Sequence, residues 1–338
     1  MIMKKYILVL MLSSFFAQAF AERVDMRLAG ADNSGKVSNS EIIKSVIDKL
    51  ASKGGGTLFF PAGIYLTGPI EMKSNITIDT EAGAVLKFSD NFDEYLPFTE
   101  VRHEGVMMKS FRPLIYAYDS ENITIKGEGT LDGSGKLWWS EFFKVLTDLQ
   151  KNGKREVNRY QKMFENSNDM KSLYDNTNSD WHSTLERRFF RPPFIHPIRC
   201  KRIKIEGVKI INSPFWTVNP EFCDNVTITG ITIDNPPSPN TDGINPESCK
   251  NVHISDCHIS VGDDCVTIKS GRDLQGRTIG VPCENITITN CTMLSGHGGV
   301  VIGSEMSGGV RKVTISNCVF DGTDRGIRIK STWKGRLC

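Results

Sequence analysis

Short segments in which apolar and polar residues alternate return along most of the chain. Alternation with a period of two is typical of a β-strand that buries one of its faces. Seven such segments share isoleucine or valine at their second position and isoleucine at their fourth: 75–78, 122–125, 202–205, 225–228, 251–254, 285–288 and 312–315. From Ile203 onward they begin 23, 26, 34 and 27 residues apart. Repeats of this length, made of strands and turns, predict an all-β solenoid, a right-handed parallel β-helix.

Two other architectures fit this pattern less well. A βαβ arrangement needs a helix of ten or more residues in each gap, and the gaps are too short for one. A β-sandwich stays as the structural alternative, but it predicts hairpin turns rather than a regular repeat. Second strands fit between the repeats, for example at residues 266–268 and 300–302, which favours several strands in each coil.

Two stretches depart from the alternation. Residues 40–52 carry apolar residues at helical spacing, and Ser38 is the predicted N-cap. We expect a short N-terminal helix there that caps the open end of the solenoid. Residues 139–195 are charged, aromatic and partly helical in pattern. We expect them to form a large loop excursion from the solenoid wall, and such excursions more often carry specificity than core packing.

The first residues have the composition of a secretion signal. Lys4 and Lys5 precede an apolar stretch at residues 6–16, and the small residues near Ala21 suit cleavage there. The apolar stretch is too short to span a bilayer. We therefore expect a signal peptide at residues 1–21, followed by a single β-helix domain at residues 22–338 that is secreted or periplasmic.

The overall charge does not indicate a polyanionic or membrane partner. The chain has 41 basic and 39 acidic residues, and residues 1–21 contain two lysines and no acidic residue. The expected mature protein therefore has 39 of each, which gives no reason to expect binding to nucleic acid or to a membrane surface. An acidic substrate would need basic residues placed locally. We expect a monomer that uses no cofactor.

The nine cysteines are compatible with two interpretations. No CxxC pair indicates zinc. In one interpretation the cysteines are small buried residues stacked between coils. In the other, one or two disulfides form, which export would permit.

Four polar clusters that could carry catalytic or binding chemistry lie late in the chain, at residues 240–243, 262–265, 296–298 and 328–330. The steps from Asp242 to Asp264, from Asp264 to His297 and from His297 to Arg328 are 22, 33 and 31 residues, each close to one coil. Residues one coil apart in a solenoid stack at about the inter-strand spacing of ~4.8 Å. Four clusters would then form a row roughly 15 Å long, which suits a groove for about three sugar rings.

The parity of the strands predicts which side chains face this groove. Ile327 and Ile329 should point inward, so that Arg328 and Lys330 share the outer face. Asp263 and Asp264 are adjacent, and a regular strand would send them to opposite faces. Both reach one groove only if the chain bends, which Gly262 permits.

Taken in order, these four clusters resemble the motif set of the polygalacturonase family, glycoside hydrolase family 28. Residues 129–133 with Trp138 and Trp139, and residues 211–216, resemble further stretches of that family. Each motif alone is weak, whereas four in order at coil spacing are specific. The resemblance covers residues 25–330 and implies a secreted enzyme that cleaves α-1,4-galacturonosyl linkages in polygalacturonan, the pectin backbone.

The resemblance also implies a role for each residue. Asp263 would be the general acid, and Asp242 and Asp264 would hold and activate water, with inversion at the anomeric carbon. His297 would tune the proton of the acid. Substrate would be bound by Asn240, Arg328 and Lys330, of which the last two are suited to a galacturonate carboxylate. Independently, crowded carboxylates cannot all ionise at one pH, which is the condition that glycoside hydrolysis exploits.

Other interpretations of the same residues stay open. Asn-Thr-Asp-Gly and Gly-Asp-Asp are also good turn sequences, and Arg328 and Lys330 also fit a solvated strand face. The carboxylates with His297 could bind a metal, but no close ligand spacing supports it, so we expect no metal. At the level of function, the alternatives are a pectate lyase, a rhamnogalacturonan hydrolase and an inactive carbohydrate-binding β-helix. Endo or exo action is open, although the excursion at residues 139–195 would favour exo action by closing one groove end.

The end of the chain departs from the family pattern. Relatives carry a glycine-rich turn and several more coils after the Arg-x-Lys motif, including a tyrosine that lines the groove. Here the alternation does not return between Lys330 and Cys338. We therefore expect a truncated form that exposes Ile327 and Ile329, is poorly stable and weakly active, and leaves Cys338 as an odd thiol.

Overall fold

The computed structural model describes residues 22–153, 157–235 and 238–330. The predicted signal peptide at residues 1–21, and residues 331–338 with Cys338, lie outside the described residues. Within them the chain forms a parallel β-helix, as the repeat predicts, with successive coils stacked in three long sheets. Its hand follows from the right-handed rule for parallel crossovers.

The first sheet contains the seven predicted repeats and two further strands at its N-terminal end. All its pairs are parallel, and the strands stack in chain order. The described strands are Glu22–Asp25, Gly56–Phe60, Ile76–Thr80, Glu121–Gly127, Lys201–Glu206, Asp224–Thr229, Lys250–Ser255, Cys283–Thr289 and Val310–Ser316.

The second sheet is formed by the strand that follows in each coil, and it is also parallel. Its described strands are Ser34–Ser38, Gly63–Thr67, Ala84–Phe88, Thr130–Asp132, Lys209–Ile211, Thr232–Asp234, His258–Ser260, Thr292–Ser295 and Val319–Phe320.

The third sheet, which we call the groove sheet, carries the polar clusters. At its N-terminal end lie Ile70–Glu71, Ile115–Tyr118 and Ile195–Ile198, and at its C-terminal end lie Asp264–Ile268, Gly298–Ile302 and Ile327–Ile329. Single parallel bridges from Ile195 through Val218 and Ile244 to Val266 connect the two groups of strands. The groove sheet is therefore one continuous stack of coils.

The core forms because inward positions repeat in register. Ile203, Val226, Val252 and Ile286 pair in successive coils of the first sheet, and all four are buried. The residue before each of them, for example Asn225 with φ of 59°, adopts the left-handed conformation that asparagine tolerates well.

The cysteines continue this stacking. All eight cysteines in the described part of the chain are free thiols, seven of them buried. The backbone N–H groups of Cys200 and Cys223 each donate to the Sγ of the cysteine in the next coil, Cys223 and Cys249, over 3.4 Å. The stacking interpretation is thus confirmed for the described residues.

Helix α1 (Ser40–Ser52) has the predicted bounds. It buries Ile43, Val46, Ile47 and Leu50 in the main core at the N-terminal end of the solenoid, as a capping helix should. The prediction of Ser38 as its N-cap is wrong: Asn39 occupies that position, and its side chain bonds the backbone of Asp32 and Leu66 instead of the helix.

The excursion is helical and begins earlier than predicted. It contains α2 (Lys136–Asn152), α3 (Arg159–Ser167), α4 (Met170–Asp175) and α5 (Ser179–Arg187). Ile195, placed in the excursion by the sequence, is the first residue of a groove-sheet strand. A short helix, α6 (Asp273–Ile279), follows strand Asp264–Ile268.

An antiparallel hairpin of strands Thr99–His103 and Val106–Ser110 forms a further excursion that the alternation did not predict. It packs with the helices in a second apolar cluster that includes Val101, Phe164 and Trp181. None of the helices in the described part of the chain combines the length and apolar character that crossing a bilayer requires.

Candidate active site

Stacking of the coils brings the four polar clusters to one place on the groove sheet. Ile244 bridges to Val266, Asp264 pairs with Gly298, and Val300 pairs with Ile327. The clusters therefore lie on four successive coils, as their spacing predicted.

Three carboxylates meet at the centre of this stack. One oxygen from each of Asp242, Asp263 and Asp264 lies within 4.8 Å of the others. Asp242 and Asp264 are buried, while the Asp263 side chain is 18% exposed. The backbone N–H of Asp264 donates to Asp263 Oδ1 over 3.0 Å, so the two neighbours are fixed relative to each other.

The predicted bend at Gly262 lets both adjacent aspartates face the cleft. Gly262 and Asp263 form the bend, and the strand begins only at Asp264. A Cβ on Gly262 would lie 2.5 Å from the backbone N and O of Ser238. Glycine is therefore required here because two backbone segments approach closely, not because of its torsion angle.

Burial and crowding disturb the acidity of this cluster. Burial, and after it the charge of Asp263, raise the pKa of Asp242 well above its ordinary value. Burial also raises the pKa of Asp264, although Lys330 acts in the opposite direction. Asp242 and Asp264 therefore ionise less readily than isolated aspartates.

Lys330 and His297 of the later clusters adjoin these carboxylates, and Arg328 lies on the same coil as Lys330. Lys330 Nζ hydrogen-bonds to Asp264 Oδ2, which places Lys330 on the outer face, as parity predicts. His297 Nδ1 lies 3.4 Å from Asp263 Oδ1, and its backbone N–H donates to the carbonyl of Asp263 over 2.9 Å. Arg328 pairs in register with Val301 on the neighbouring coil and is half-buried.

Asn240 lies at the opposite edge of the cleft. Its Oδ1 accepts a hydrogen bond of 2.8 Å from Nη2 of Arg191, whose Nη1 donates to the carbonyls of Pro214 and Pro239. Arg191 therefore fixes the amide of Asn240, which lines the cleft.

The cleft is also lined by six residues that the sequence did not single out as site residues: Glu104, Trp216, Lys269, Arg272, Ser304 and Glu305. Trp216 belongs to a stretch that resembles the family, which was a usable signal. Lys269 continues an alternating strand and is indistinguishable there from a solvated lysine. Glu104 and Glu305 come from turns whose positions only the tertiary structure defines.

The hairpin covers the groove sheet on the N-terminal side of the carboxylates. Arg102 is fully buried, with Nε 3.3 Å from Oε1 of Glu247 and Nη1 3.0 Å from the hydroxyl of Ser248. The His103 ring stacks on Phe215 at 4.3 Å. The outer face of the sheet is therefore closed here.

The helices of the excursion lock this hairpin in place. Trp181 of α5 donates its indole N–H to Glu104 over 2.9 Å, and Gln275 of α6 accepts from the backbone N–H of Met107 over 2.7 Å. We call the hairpin 99–110 together with α5 the wall. Between the wall and Lys330 lies a cleft of about 210 Å³.

Comparisons with known proteins agree with the fold and the site. Residues 176–337 match the sequence model for "Glycosyl hydrolases family 28". A probable polygalacturonase from Vitis vinifera is 32% identical over 312 residues, which cover 89% of this chain and 55% of that protein. A hyperthermoactive exopolygalacturonase from Thermotoga maritima has a similar crystal structure, with 40% identity and a TM-score of 0.78, covering 91% of this chain and 68% of that one. The structure of a family 28 exopolygalacturonase from Yersinia enterocolitica is also similar, with 25% identity and a TM-score of 0.73. The match covers 93% of this chain and 56% of that one.

A parallel β-helix with these clusters on successive coils, together with these similarities, defines the class: the chain belongs to glycosyl hydrolases family 28. The family expected from the motifs is thereby confirmed. The chain spans 55% and 60% of the length of two of its curated plant relatives, from Vitis vinifera and Arabidopsis thaliana.

Proposed function

We propose that this chain hydrolyses α-1,4-galacturonosyl linkages of polygalacturonan, the backbone of pectin. The observation that carries the proposal is the meeting of Asp242, Asp263 and Asp264 within 4.8 Å, with Arg328 and Lys330 on the second coil after Asp264. Glycoside hydrolysis needs a protonated and an ionised carboxyl at the same bond. A galacturonate ring adds a carboxylate that the two cations are suited to bind.

The environments of the carboxyls support a division of roles. Asp263 is the more exposed carboxyl and is adjacent to His297, so it is placed to protonate the leaving glycosidic oxygen. The Oδ1 atoms of Asp242 and Asp264 are buried and make no hydrogen bond with the described residues. Both can accept from the attacking water, whose proton passes to this pair as the C–O bond breaks. Attack from the side opposite the leaving group inverts the anomeric carbon.

We further propose exo action. Glu104 of the wall lines the same cleft as Asn240 and Asp242, so the wall would stop a polymer chain from continuing on that side. The cleft of about 210 Å³ is smaller than the ~300–1,000 Å³ of sites for drug-sized ligands and suits a single sugar ring. Two solved relatives are named exopolygalacturonases.

The choice of pectin fraction and the location of the protein are proposed from the charges of the site and from the first residues of the chain. Lys330 beside the carboxylates, with Arg328 on the same coil, favours a uronate over a neutral sugar, and hence polygalacturonan over rhamnogalacturonan. The apolar, lysine-led residues 1–21 support export, and we propose a secreted or periplasmic monomer that acts on pectin of the plant cell wall.

The test is product analysis on an oligogalacturonate labelled at its reducing end. We expect saturated monogalacturonate as the first unlabelled product, while the labelled chain shortens by one unit at a time. Release of internal oligomers would refute exo action, and an unsaturated, ultraviolet-absorbing product would show a lyase.

Inversion needs its own measurement. Nearest carboxylate oxygens within 4.8 Å would also suit a retaining enzyme, whose carboxyls lie ~5 Å apart. We expect proton NMR of the first product to show the inverted β-anomer before mutarotation. An α-anomer would refute the assignment of Asp242 and Asp264 to water.

A further inference from the structure

A buried lysine adjoins the catalytic carboxylates and has no role in the mechanism above. Lys269 follows strand Asp264–Ile268 and is almost completely buried. Its Nζ lies 2.6 Å from Glu305 Oε2, 4.0 Å from Asp242 Oδ2 and 4.4 Å from the ring centre of Trp216. Burial of an ammonium group is costly unless nearby negative charge compensates it.

Glu305 holds this lysine and is itself held from its other side. Arg272 hydrogen-bonds to Glu305 Oε1, which also accepts from the hydroxyl of Ser304 over 2.8 Å. Burial opposes ionisation of Glu305, but Lys269 and Arg272 lower its pKa below the ordinary value. Burial likewise opposes the charge of Lys269, but Glu305 and Asp242 raise its pKa. Lys269 is therefore a fixed cation.

Lys269 acts on Asp242 in surroundings that otherwise oppose ionisation of this carboxyl. Burial and Asp263 raise the pKa of Asp242, and Lys269 acts in the opposite direction. Thr267 donates its hydroxyl to the same oxygen, Oδ2, over 3.2 Å. The other charged groups around this carboxyl are Asp264, Lys330 and Arg191, and beyond them Glu305, Arg272, Glu104 and His297.

Each lysine of the site lies nearest to a different aspartate: Lys330 to Asp264, and Lys269 to Asp242. Lys330 hydrogen-bonds to Asp264, and its ammonium group has further donors for a substrate carboxylate. Lys269 is the nearer fixed cation for Asp242, and it approaches Oδ2, on the side away from the unbonded Oδ1. Oδ1 is thus left to accept from water.

We propose that Lys269, held by Glu305, is a positioning residue that favours the ionised form of Asp242 and directs its free oxygen at the attacking water. This inference rests on the proposed hydrolase function. The competing explanation is a structural ion pair that ties the strand end to the turn at Glu305.

The first test is the pH profile of kcat/KM, whose acidic limb reports ionisation of the base in the free enzyme. Lys269→Met should move this limb to higher pH by about one unit or more, because unit charges 4 Å apart interact strongly even at an effective dielectric of ~20. Glu305→Gln should move it to lower pH, because it removes the anion that offsets Lys269. Lys269→Arg should restore most of the wild-type position.

Arg112→Met is the control, because it removes a half-buried cation that donates to the backbone carbonyls of Glu94 and Leu96, three coils before the coil of Asp242. It should lower the melting temperature and leave the limb in place. If Lys269→Met behaves like this control, the structural explanation is correct and the proposal fails.

The second test needs no activity and so separates this inference from the proposed function. A higher folded pKa of Asp242 destabilises the protein progressively as pH rises. The loss of melting temperature caused by Lys269→Met should therefore grow between pH 4 and pH 8, and this growth should be smaller in an Asp242→Asn background, where Glu305 and Asp264 are the remaining carboxyls that lose the lysine. A loss with the same pH dependence in both backgrounds would overturn the coupling, whatever the enzyme's substrate.

Discussion

Gly262 packs closely against the backbone of Ser238, so adding one methyl group here tests how accurately the carboxylates must be positioned. In Gly262→Ala the new Cβ would lie 2.5 Å from the backbone N and O of Ser238 and 2.9 Å from the hydroxyl oxygen of Thr241. Ordinary van der Waals contact begins near 3.4 Å, so the two backbone segments must separate by roughly 0.9 Å. No flexible side-chain end can absorb this shift at Ser238.

The shift should reach the chemistry because Asp263 directly follows Gly262. A misplacement of about 1 Å costs on the order of 10²-fold in rate, so we expect kcat to fall by ~10²-fold. The contribution of Arg328 and Lys330 to KM should stay, because they lie on a later coil, whereas that of Asn240, which lies between Ser238 and Thr241, should weaken. Overpacking also destabilises by ~1–3 kcal/mol, which the fold should tolerate.

The assay compares initial rates on oligogalacturonate with thermal unfolding of the same preparation. Gly68→Ala is the control, because its Cβ meets only the side chains of Glu94 and Ser40, whose ends can move. The reasoning fails if Gly262→Ala keeps more than half of the wild-type turnover with a normal unfolding transition.

Three other substitutions test separate parts of the site. Asp263→Asn should lower kcat by ~10²–10⁴-fold with binding largely intact; retention of a tenth of the turnover would exclude it as the acid. Arg328→Ala should raise KM for uronate substrate while the melting temperature stays near wild type, and a collapse of stability with unchanged KM would make it structural. Asp242→Asn should abolish most turnover yet stabilise the fold at neutral pH. The reason is that a carboxyl with a raised folded pKa contributes stability below its unfolded pKa near ~3.9 and loses it as pH rises. Melting curves from pH 4 to pH 8 should therefore show the advantage of this variant growing, and a variant less stable than wild type at pH 7 would contradict the sign.

The solenoid and its catalytic stack were predictable because both depend on spacing along the chain. A period of two identifies each strand, and a nearly constant coil length places Asp242, Asp264 and His297 above one another. The same logic predicted the outward direction of Lys330 correctly.

The wall was only partly predictable because nothing repeats in it. The helical excursion was expected, but its start at Lys136 and its end before Ile195 were misplaced. The hairpin at Thr99–Ser110 was missed, since its alternation resembles that of any coil strand. Its contacts, such as that between Arg102 and Glu247, join residues far apart in sequence, which no local pattern encodes.

The groove sheet differs from the first sheet in how fully its polar groups are hydrogen-bonded. In the first sheet, entry asparagines bond one another from coil to coil, as Asn285 does to Asn251. In the groove sheet several buried polar atoms make no hydrogen bond with the described residues: His196 Nε2, Asn219 Oδ1, Glu221 Oε1 and Oε2, Asp242 Oδ1, Asn245 Nδ2, Glu247 Oε2, Asp264 Oδ1 and Ser270 Oγ.

Each such group costs about 1–3 kcal/mol unless water or a ligand satisfies it. A fold tolerates a row of them only if the rest of the molecule supplies the stability, and here the stacked isoleucines, valines and cysteines of the inner faces do so. Strained or unsatisfied positions are expected at functional sites. It follows that truncation of an inner residue such as Ile254 should unfold the protein more readily than neutralisation of Asp242, although only the second change removes the chemistry.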